Sequence, residues 1–471
     1  MQGTRLQALL ALRKSCAELK PHVQAPLTAQ LDTMLTVLAS LIASERDFPE
    51  LQSRRLAGYE QALASLGKSG PVGHDSFDDS AARLEHILRS VQDALRTQQS
   101  SSQAPGVTPL DLKTVARLER DFAMSRQRAV AAEIRRGESL AAPTPTLAAE
   151  FDRTAFQNFL VRSLGEDRAV QVTEVTLASR GFSKKTLFVR LQNTRVLPSE
   201  LAVRVDREFN FLGTTVVDEF APLVILHRAG LRLPKPLALE PSGKVLDGPF
   251  IIFEKRAGAL IGNHFQLPAR NLPLAADVAR CLAQLHRSPL EALPPLRGAD
   301  VPTEEQVRRE IDKSHADWVA LDRTSPLVEA AFSWLYSKTQ LAVGPRALVH
   351  GDFNFNNLLI EGERVSAIVD WEFLHVGHPG EDLGWMHYGA ASICGWNEFL
   401  ELYERAGGYP LDRRSLEFFI LLGQTRFAVM TLQTESGFAA GRFDDVKFGL
   451  AGALFTSTVL TRIGALLEAL A

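Results

Sequence analysis

The residues best equipped for chemistry lie in Leu348-Val349-His350-Gly351-Asp352-Phe353-Asn354-Phe355-Asn356-Asn357-Leu358-Leu359-Ile360 and in Ala367-Ile368-Val369-Asp370-Trp371-Glu372. An Asp, then an Asn, then a second Asp at the end of an apolar run fall in a fixed order. Asp352 can take a proton from an alcohol. Asn357 and Asp370 offer hard oxygen donors of the kind Mg²⁺ prefers. A base for a hydroxyl, beside oxygens that can hold a divalent cation, is the equipment of phosphoryl transfer, where metal ions neutralise phosphate oxygens.

The elements that must position these residues can be read around them. Leu358-Leu359-Ile360 and Val365-Ser366-Ala367-Ile368-Val369 have the branched apolar content of short strands. Glu361-Gly362-Glu363-Arg364 between them is polar, carries a Gly and predicts a hairpin turn. Closing that hairpin brings Asp370 beside Asn357 at its mouth. Asp352 lies in the loop just upstream, within reach of the same point.

A third part follows in Gly380-Glu381-Asp382-Leu383-Gly384-Trp385, where an acid precedes an apolar, helical stretch. His-x-Asp alone is a weak signal and Asp-Trp alone is weak, but the ordered set is specific. On these residues the chain resembles the aminoglycoside phosphotransferase superfamily. The likeness is to its broad phosphotransferase branch, related to the kinase-like domains fused to acyl-CoA dehydrogenases. It covers roughly residues 150–465 and is strongest over 346–385. The resemblance implies an α+β, protein-kinase-like bilobal fold, with a small antiparallel sheet lobe and a larger helical lobe. It implies Asp352 as catalytic base, His350 as a holder of the catalytic loop, Asn357 and Asp370 as Mg²⁺ ligands, and Asp382 as the acid bracing that loop. The plainer readings stand beside these: Asp and Asn commonly sit in turns, His350 can be purely structural, and Asp382 can be a helix N-cap. Glu372 is near enough to meet substrate, and equally suits a surface.

Upstream, Val172-Thr173-Glu174-Val175-Thr176-Leu177 and Leu187-Phe188-Val189-Arg190-Leu191 read as strands flanking Ser179-Arg180-Gly181-Phe182-Ser183-Lys184-Lys185-Thr186. Such a loop could cover the phosphates of ATP through backbone amides near Gly181 and the Ser183 hydroxyl; the plain alternative is a hairpin with a basic tip. In Glu200-Leu201-Ala202-Val203-Arg204-Val205-Asp206 the apolar residues alternate, so Arg204 points to the opposite face. Kinases place a phosphate-gripping Lys on this strand, paired with a helix Glu. Here the matching position is Arg204, and Glu219, opening a helical pattern, is its expected partner. Glu219 could instead be a solvent-facing acid favoured by the helix dipole. Phe250-Ile251-Ile252-Phe253-Glu254-Lys255 resembles the hinge between lobes, which implies adenine binding by backbone groups near Glu254. His286, on an Ala- and Leu-rich helix, reads as a structural histidine.

Composition sets the class. A chain of 471 residues, 45% hydrophobic and 23% charged, can form two or more packed domains. A net charge of −3 offers no basic field for nucleic acid. No uninterrupted apolar run reaches the length of a membrane span. Arg13 and Lys14 break the first apolar run, against a secretory signal. Cys16, Cys281 and Cys394 lie far apart without metal spacing, which suits a reducing cytoplasm.

Residues 1–140 differ in kind. Leu27, Leu31, Met34, Leu35 and Leu38, then Leu84, Ile87, Leu88, Val91 and Leu95, then Leu112, Val115, Leu118 and Phe122 recur at helical spacing. They predict a bundle of four or five helices, open as a dimerisation surface, a partner-docking module, a substrate lid or a stabilising extension. The expected organisation is this bundle, a linker at 141–150, a kinase-like small lobe at 151–256, and a large lobe with C-terminal helices at 257–471.

The function expected is ATP- and Mg²⁺-dependent phosphoryl transfer to a small-molecule hydroxyl, with GTP open as donor. The resemblance allows aminoglycosides, other amino-alcohols, sugars and hydroxyacyl-CoA thioesters, and its dehydrogenase-linked members favour a hydroxyacyl group. A nucleotide-binding pseudokinase or scaffold, with Arg204 ending catalysis, is the alternative from another class. A metallohydrolase using His350, Asp352, His375 and His378 lacks a defensible ligand spacing.

Overall fold

The computed structural model describes residues 7, 9–10, 12–14, 16–17, 25–65, 80–100, 112–136, 146–147, 151–178, 184–206, 214–262, 266–294, 296–442 and 446–470. Gly181, Ser183 and most of the expected linker lie outside them. The chain divides into two compact units, one of Thr144–Gln306 with Val343–Leu416, the other of Met1–Pro143 with Val307–Ala342 and Glu417–Ala471.

The first unit has the expected α+β character. A six-stranded antiparallel sheet has the order β1-β2-β3-β4-β6-β5. Its strands are β1 (Thr146–Leu147), β2 (Gln171–Leu177), β3 (Lys184–Gln192), β4 (Glu200–Asp206), β5 (Pro236–Glu240) and β6 (Phe250–Glu254). Alternation along β4 decides which face is apolar: Leu201, Val203 and Val205 are buried with Phe156, Leu160, Val189, Phe250 and Ile252 in one core. Arg204 therefore stands on the other face. Helix α1 (Val216–Arg228) starts at a capping box, in which Thr215 and Asp218 satisfy each other's backbone amides, and this fixes Glu219 in its first turn.

The helical part of this unit contains α2 (Leu272–His286), α3 (Gly380–Ile393) and α4 (Trp396–Arg405). Buried Leu274, Val278, Leu282, Phe353, Phe355, Leu358, Met386 and Phe399 belong to its core. Two short ladders are packed into it. β7 (Ala347–Val349) pairs with β10 (His375–Gly377), and β8 (Leu358–Glu361) with β9 (Arg364–Ile368). The hairpin read from the sequence is present. Glu361 faces Arg364 across a turn that Gly362 enters at φ +61°, a conformation that Gly adopts without steric cost.

The second unit is helical. Four helices, Ala25–Arg46, Phe48–Ser65, Ser80–Ser100 and Leu112–Arg136, are described before residue 140. The helix Val446–Leu470 packs among them, against Leu112–Arg136, rather than in the first unit. Its stripe of Val459, Ile463 and Leu467 is fully buried. Gly464 allows the close approach, since a Cβ there would lie 3.0 Å from the Ala116 carbonyl oxygen. Arg120 pairs with Glu468 across the same contact. Residues 307–342 also belong to this unit, where buried Glu329 is held by Arg96 (2.9 Å), His315 (2.9 Å) and Trp318 Nε1 (3.0 Å). The large lobe expected over 257–471 is thus shared between the units. Periodicity shows which face of a helix is apolar, not which neighbour covers it.

Among the described residues one helix, Arg413–Ala439, is long and apolar enough to cross a membrane, and 78% of its apolar 18-residue stretch is buried in the protein. The three cysteines are free and buried.

Candidate active site

The mouth of the β8–β9 hairpin is where the chemistry collects. The Val369 amide donates to the Asn357 carbonyl at 2.9 Å, which brings Asp370 beside Asn357. Asp370 takes a left-handed backbone, φ +66°, a conformation that Asp accepts more readily than most residues. Asn357 ends a short 3₁₀ turn, Phe355–Asn357, capped by the Asn354 side chain. Its Nδ2 donates to the Asp352 carbonyl at 2.9 Å and to Asp352 Oδ2 at 2.6 Å. The other oxygen, Oδ1, accepts from Trp385 Nε1 at 2.6 Å. Two directed bonds thus fix the Asp352 carboxylate, which can accept more than two.

His350 is fully buried and joins these pieces. Its Nε2 donates to the Val369 carbonyl at 3.1 Å, and its Nδ1 accepts from the Asp352 amide at 3.2 Å. Both ring nitrogens are therefore occupied in the neutral, Nε2-protonated form. Asp382 lies in the first turn of α3, whose N-cap position is Pro379, and its carboxylate reaches back into the loop. It accepts from the His350 and Gly351 amides, both at 2.8 Å, and from His286 Nε2 at 3.2 Å. Burial pushes the Asp382 carboxyl up, but His286 and these amides hold it below the usual carboxylate range. His286 in turn meets the Tyr403 hydroxyl at 2.7 Å.

Gly351 carries a sharp demand. Its φ is +80°, and a Cβ there would lie 2.6 Å from the Phe373 Cβ and 2.8 Å from its carbonyl oxygen. Gly351→Ala is expected to cost about 1–3 kcal/mol in backbone strain alone, before the overlap is counted. Chemical denaturation of both proteins checks this, and equal midpoints would contradict it.

The sheet side of the site differs from the sequence expectation in its pairing. Glu219 is buried, and its close partner is Lys184, not Arg204. Arg204 Nε stands 3.9 Å from Glu219 Oε2, outside hydrogen-bond range, and has no hydrogen-bond partner. Arg204 Nη2 instead contacts Asp370 Oδ1 closely and Glu372 Oε2 at 3.3 Å. Lys184 Nζ also reaches Glu372, at 3.4 Å. The register explains this. Thr186 faces Arg204, so Lys184 is the diagonal neighbour of Arg204 on the same face. Lys184 thus belongs to β3 and not to the loop tip where the sequence suggests it, and its even spacing with Thr186 and Phe188 is the signal for that face. Glu372 is buried between the two cations rather than on a surface.

Burial opposes the Arg204 charge, yet Asp370, Glu219 and Glu372 raise its pKa further above the usual arginine range. Burial likewise pushes Asp370 up, while the Arg204 and Lys184 cations hold it below the usual range. Glu254 ends β6. Its amide donates to the Lys235 carbonyl at 3.0 Å, and the Lys255 amide to the Glu200 carbonyl at 3.3 Å.

The donor set suits Mg²⁺. Asp370 and the Asn357 amide oxygen are hard donors held together by the hairpin. Among the described residues there is no group of three or more His, Cys, Asp or Glu side chains able to hold a metal. Such a sparse set suits an ion that keeps its waters and binds through one or two protein ligands plus substrate phosphates.

Close behind the brace, the His378 ring accepts the Gly380 amide on Nδ1 at 3.0 Å. Burial pushes its pKa down from 6.5 to about 4, against the pull of Glu381. The unfolded chain therefore binds a proton that the folded chain refuses. The stability from His378 is complete above pH 6.5 and is lost as pH falls towards 4, amounting to about 3 kcal/mol. Urea denaturation of wild type and His378→Gln from about pH 7 to about pH 4.5 tests this. A steeper acid loss in wild type is expected, and parallel profiles would contradict it.

A strand-capped sheet joined to a helical part, with an Asp–Asn–Asp constellation at a hairpin mouth, defines a protein-kinase-like phosphotransferase. Residues 174–419 match the model of the phosphotransferase enzyme family (APH), and the chain belongs to that family. Its members form a class of enzymes that transfer a phosphoryl group to a small molecule. Acyl-CoA dehydrogenase family member 11 of Pongo abelii is 24% identical over 312 residues, covering 59% of this chain and 38% of that protein. The Mus musculus protein of the same name is 26% identical over 253 residues, covering 50% and 30%. The chain thus spans well under half the length of these relatives. The macrolide 2'-phosphotransferase of Brachybacterium faecium aligns at 19% identity over 64% of this chain and 98% of that one, with a TM-score of 0.46.

Proposed function

We propose that the protein transfers the γ-phosphoryl group of ATP, with Mg²⁺, to a hydroxyl of a small molecule. The observation that carries this reading is the Asp352 carboxylate, fixed by Asn357 and Trp385 beside the Asn357–Asp370 pair. Asp352 takes the acceptor's hydroxyl proton. His350 does not compete for it, because both its ring nitrogens are engaged. Mg²⁺ held by Asn357 and Asp370 would neutralise the phosphate oxygens as charge shifts during transfer. Arg204 binds phosphate through its fork of donors, the segment with Gly181 and Ser183 covers the phosphates, and backbone near Glu254 meets the adenine. Asp382 keeps the loop in register through the His350 and Gly351 amides.

For the acceptor we favour a hydroxyacyl-CoA thioester or a related small metabolite over an aminoglycoside. Partial similarity to proteins named acyl-CoA dehydrogenase family members supports that choice. The setting proposed is the cytoplasm, with residues 1–140 as the surface for a second copy or a partner protein. The Arg204–Asp370 contact favours one rival reading, nucleotide binding without transfer. ADP release from ATP and Mg²⁺, measured across a panel of hydroxyacyl-CoA, sugar and amino-alcohol acceptors, separates the two. Acceptor-dependent release that is lost in Asp352→Asn supports transfer. Nucleotide binding with no release from any acceptor, across all three classes, supports the rival.

A further inference from the structure

Two cations and three carboxylates meet on the inner face of the sheet, and their pairing is uneven. Lys184 takes Glu219, and Lys184 and Arg204 share Glu372. Among the described residues Arg204 alone contacts Asp370, the carboxylate assigned above to the metal. All five side chains are largely buried, Asp370 being the most exposed at 29%. A metal ion and the Arg204 guanidinium cannot both neutralise the same oxygen of Asp370. We propose that Arg204 is a placeholder cation: it covers Asp370 in the nucleotide-free protein and is drawn off by the nucleotide's phosphates, which opens Asp370 to the metal only when the nucleotide is present. Lys184 is the positioning residue that makes the exchange affordable, because Glu219 keeps a partner when Arg204 moves.

The physics sets the direction. A largely buried carboxylate stripped of the one cation that contacts it among the described residues carries a desolvation cost. Metal alone, taking that same Asp370 oxygen, must displace a guanidinium that is left with the shared Glu372 and the more distant Glu219. Phosphates offer that guanidinium a new bidentate partner, so its departure no longer strands a charge. Binding of nucleotide and metal is then positively coupled, and by linkage each raises the other's affinity equally.

This inference rests on the proposed nucleotide site, and its test keeps the two apart. Mn²⁺, as a paramagnetic stand-in for Mg²⁺, is titrated by electron paramagnetic resonance into nucleotide-free wild type, Arg204→Met and the double variant Arg204→Met/Asp370→Asn. Removing Arg204 is expected to tighten metal-only binding by about tenfold, within the usual range of coupling. The double variant is expected to lose that gain. Equal Mn²⁺ affinity in wild type and Arg204→Met, in a protein that still binds Mn²⁺ and ATP together, overturns the placeholder and leaves the function standing. Failure of wild type to bind Mn²⁺ with ATP overturns the function itself. If Arg204→Met does not fold, Arg204→Lys decides in the same way: it keeps the charge but lacks the fork, and it too should bind Mn²⁺ alone more tightly than wild type.

Discussion

Replacing Asp352 by Asn is expected to lower kcat by about 10²–10⁴, the range of general-base assistance by a positioned side chain. The substitution keeps the size of the side chain and the Trp385 bond to one oxygen. It removes the negative charge and puts an amide against the Asn357 Nδ2 donor, so one of the two fixing bonds becomes a clash of donors or forces a flip. Because the loop is also held by Asp382 through the His350 and Gly351 amides, the fold should survive. Steady-state kinetics with nucleotide affinity measured in parallel decides it. Lost turnover with retained ATP binding is expected, and normal turnover would remove Asp352 from the role of base.

Replacing Asp370 by Ala is expected to abolish Mg²⁺- and ATP-dependent turnover. Asp370 is the acidic oxygen donor at the hairpin mouth, and the neutral Asn357 amide cannot hold a divalent cation alone. The loss extends to the cations. Among the described residues Arg204 would keep Glu372 at hydrogen-bond distance and Glu219 at 3.9 Å. Because these carboxylates remain, the cost falls below the roughly 3–5 kcal/mol of a buried charge left with no partner. The variant should therefore be less stable without ligand as well as inactive. Unchanged turnover would reject Asp370 as a metal ligand.

The centre of the site was legible because its information is local. Branched residues on both sides of Glu361–Arg364 specify a hairpin, and a hairpin of that length puts Asn357 and Asp370 together whatever surrounds it. Alternation in β4 likewise turned Arg204 away from the core of Leu201 and Val203. The Lys184–Glu219 pair was not legible. It depends on the register between β3 and β4, and one residue of slip would have put Lys184 on the other face. Glu372 was ambiguous for a related reason: its neighbours Lys184 and Arg204 are far away in sequence. The grouping of Val446–Leu470 with the N-terminal helices was hidden because an apolar stripe does not name its partner.

The most direct test of the central claim is thermal unfolding of wild type and Asp370→Ala, each with and without ATP and Mg²⁺. Ligand at about 100 times its Kd should stabilise wild type by roughly 2.7 kcal/mol. A Mg²⁺-dependent rise is expected in wild type and none in the variant, whatever the variant's own starting stability. No rise in wild type over a wide range of ATP, repeated with GTP, would contradict it.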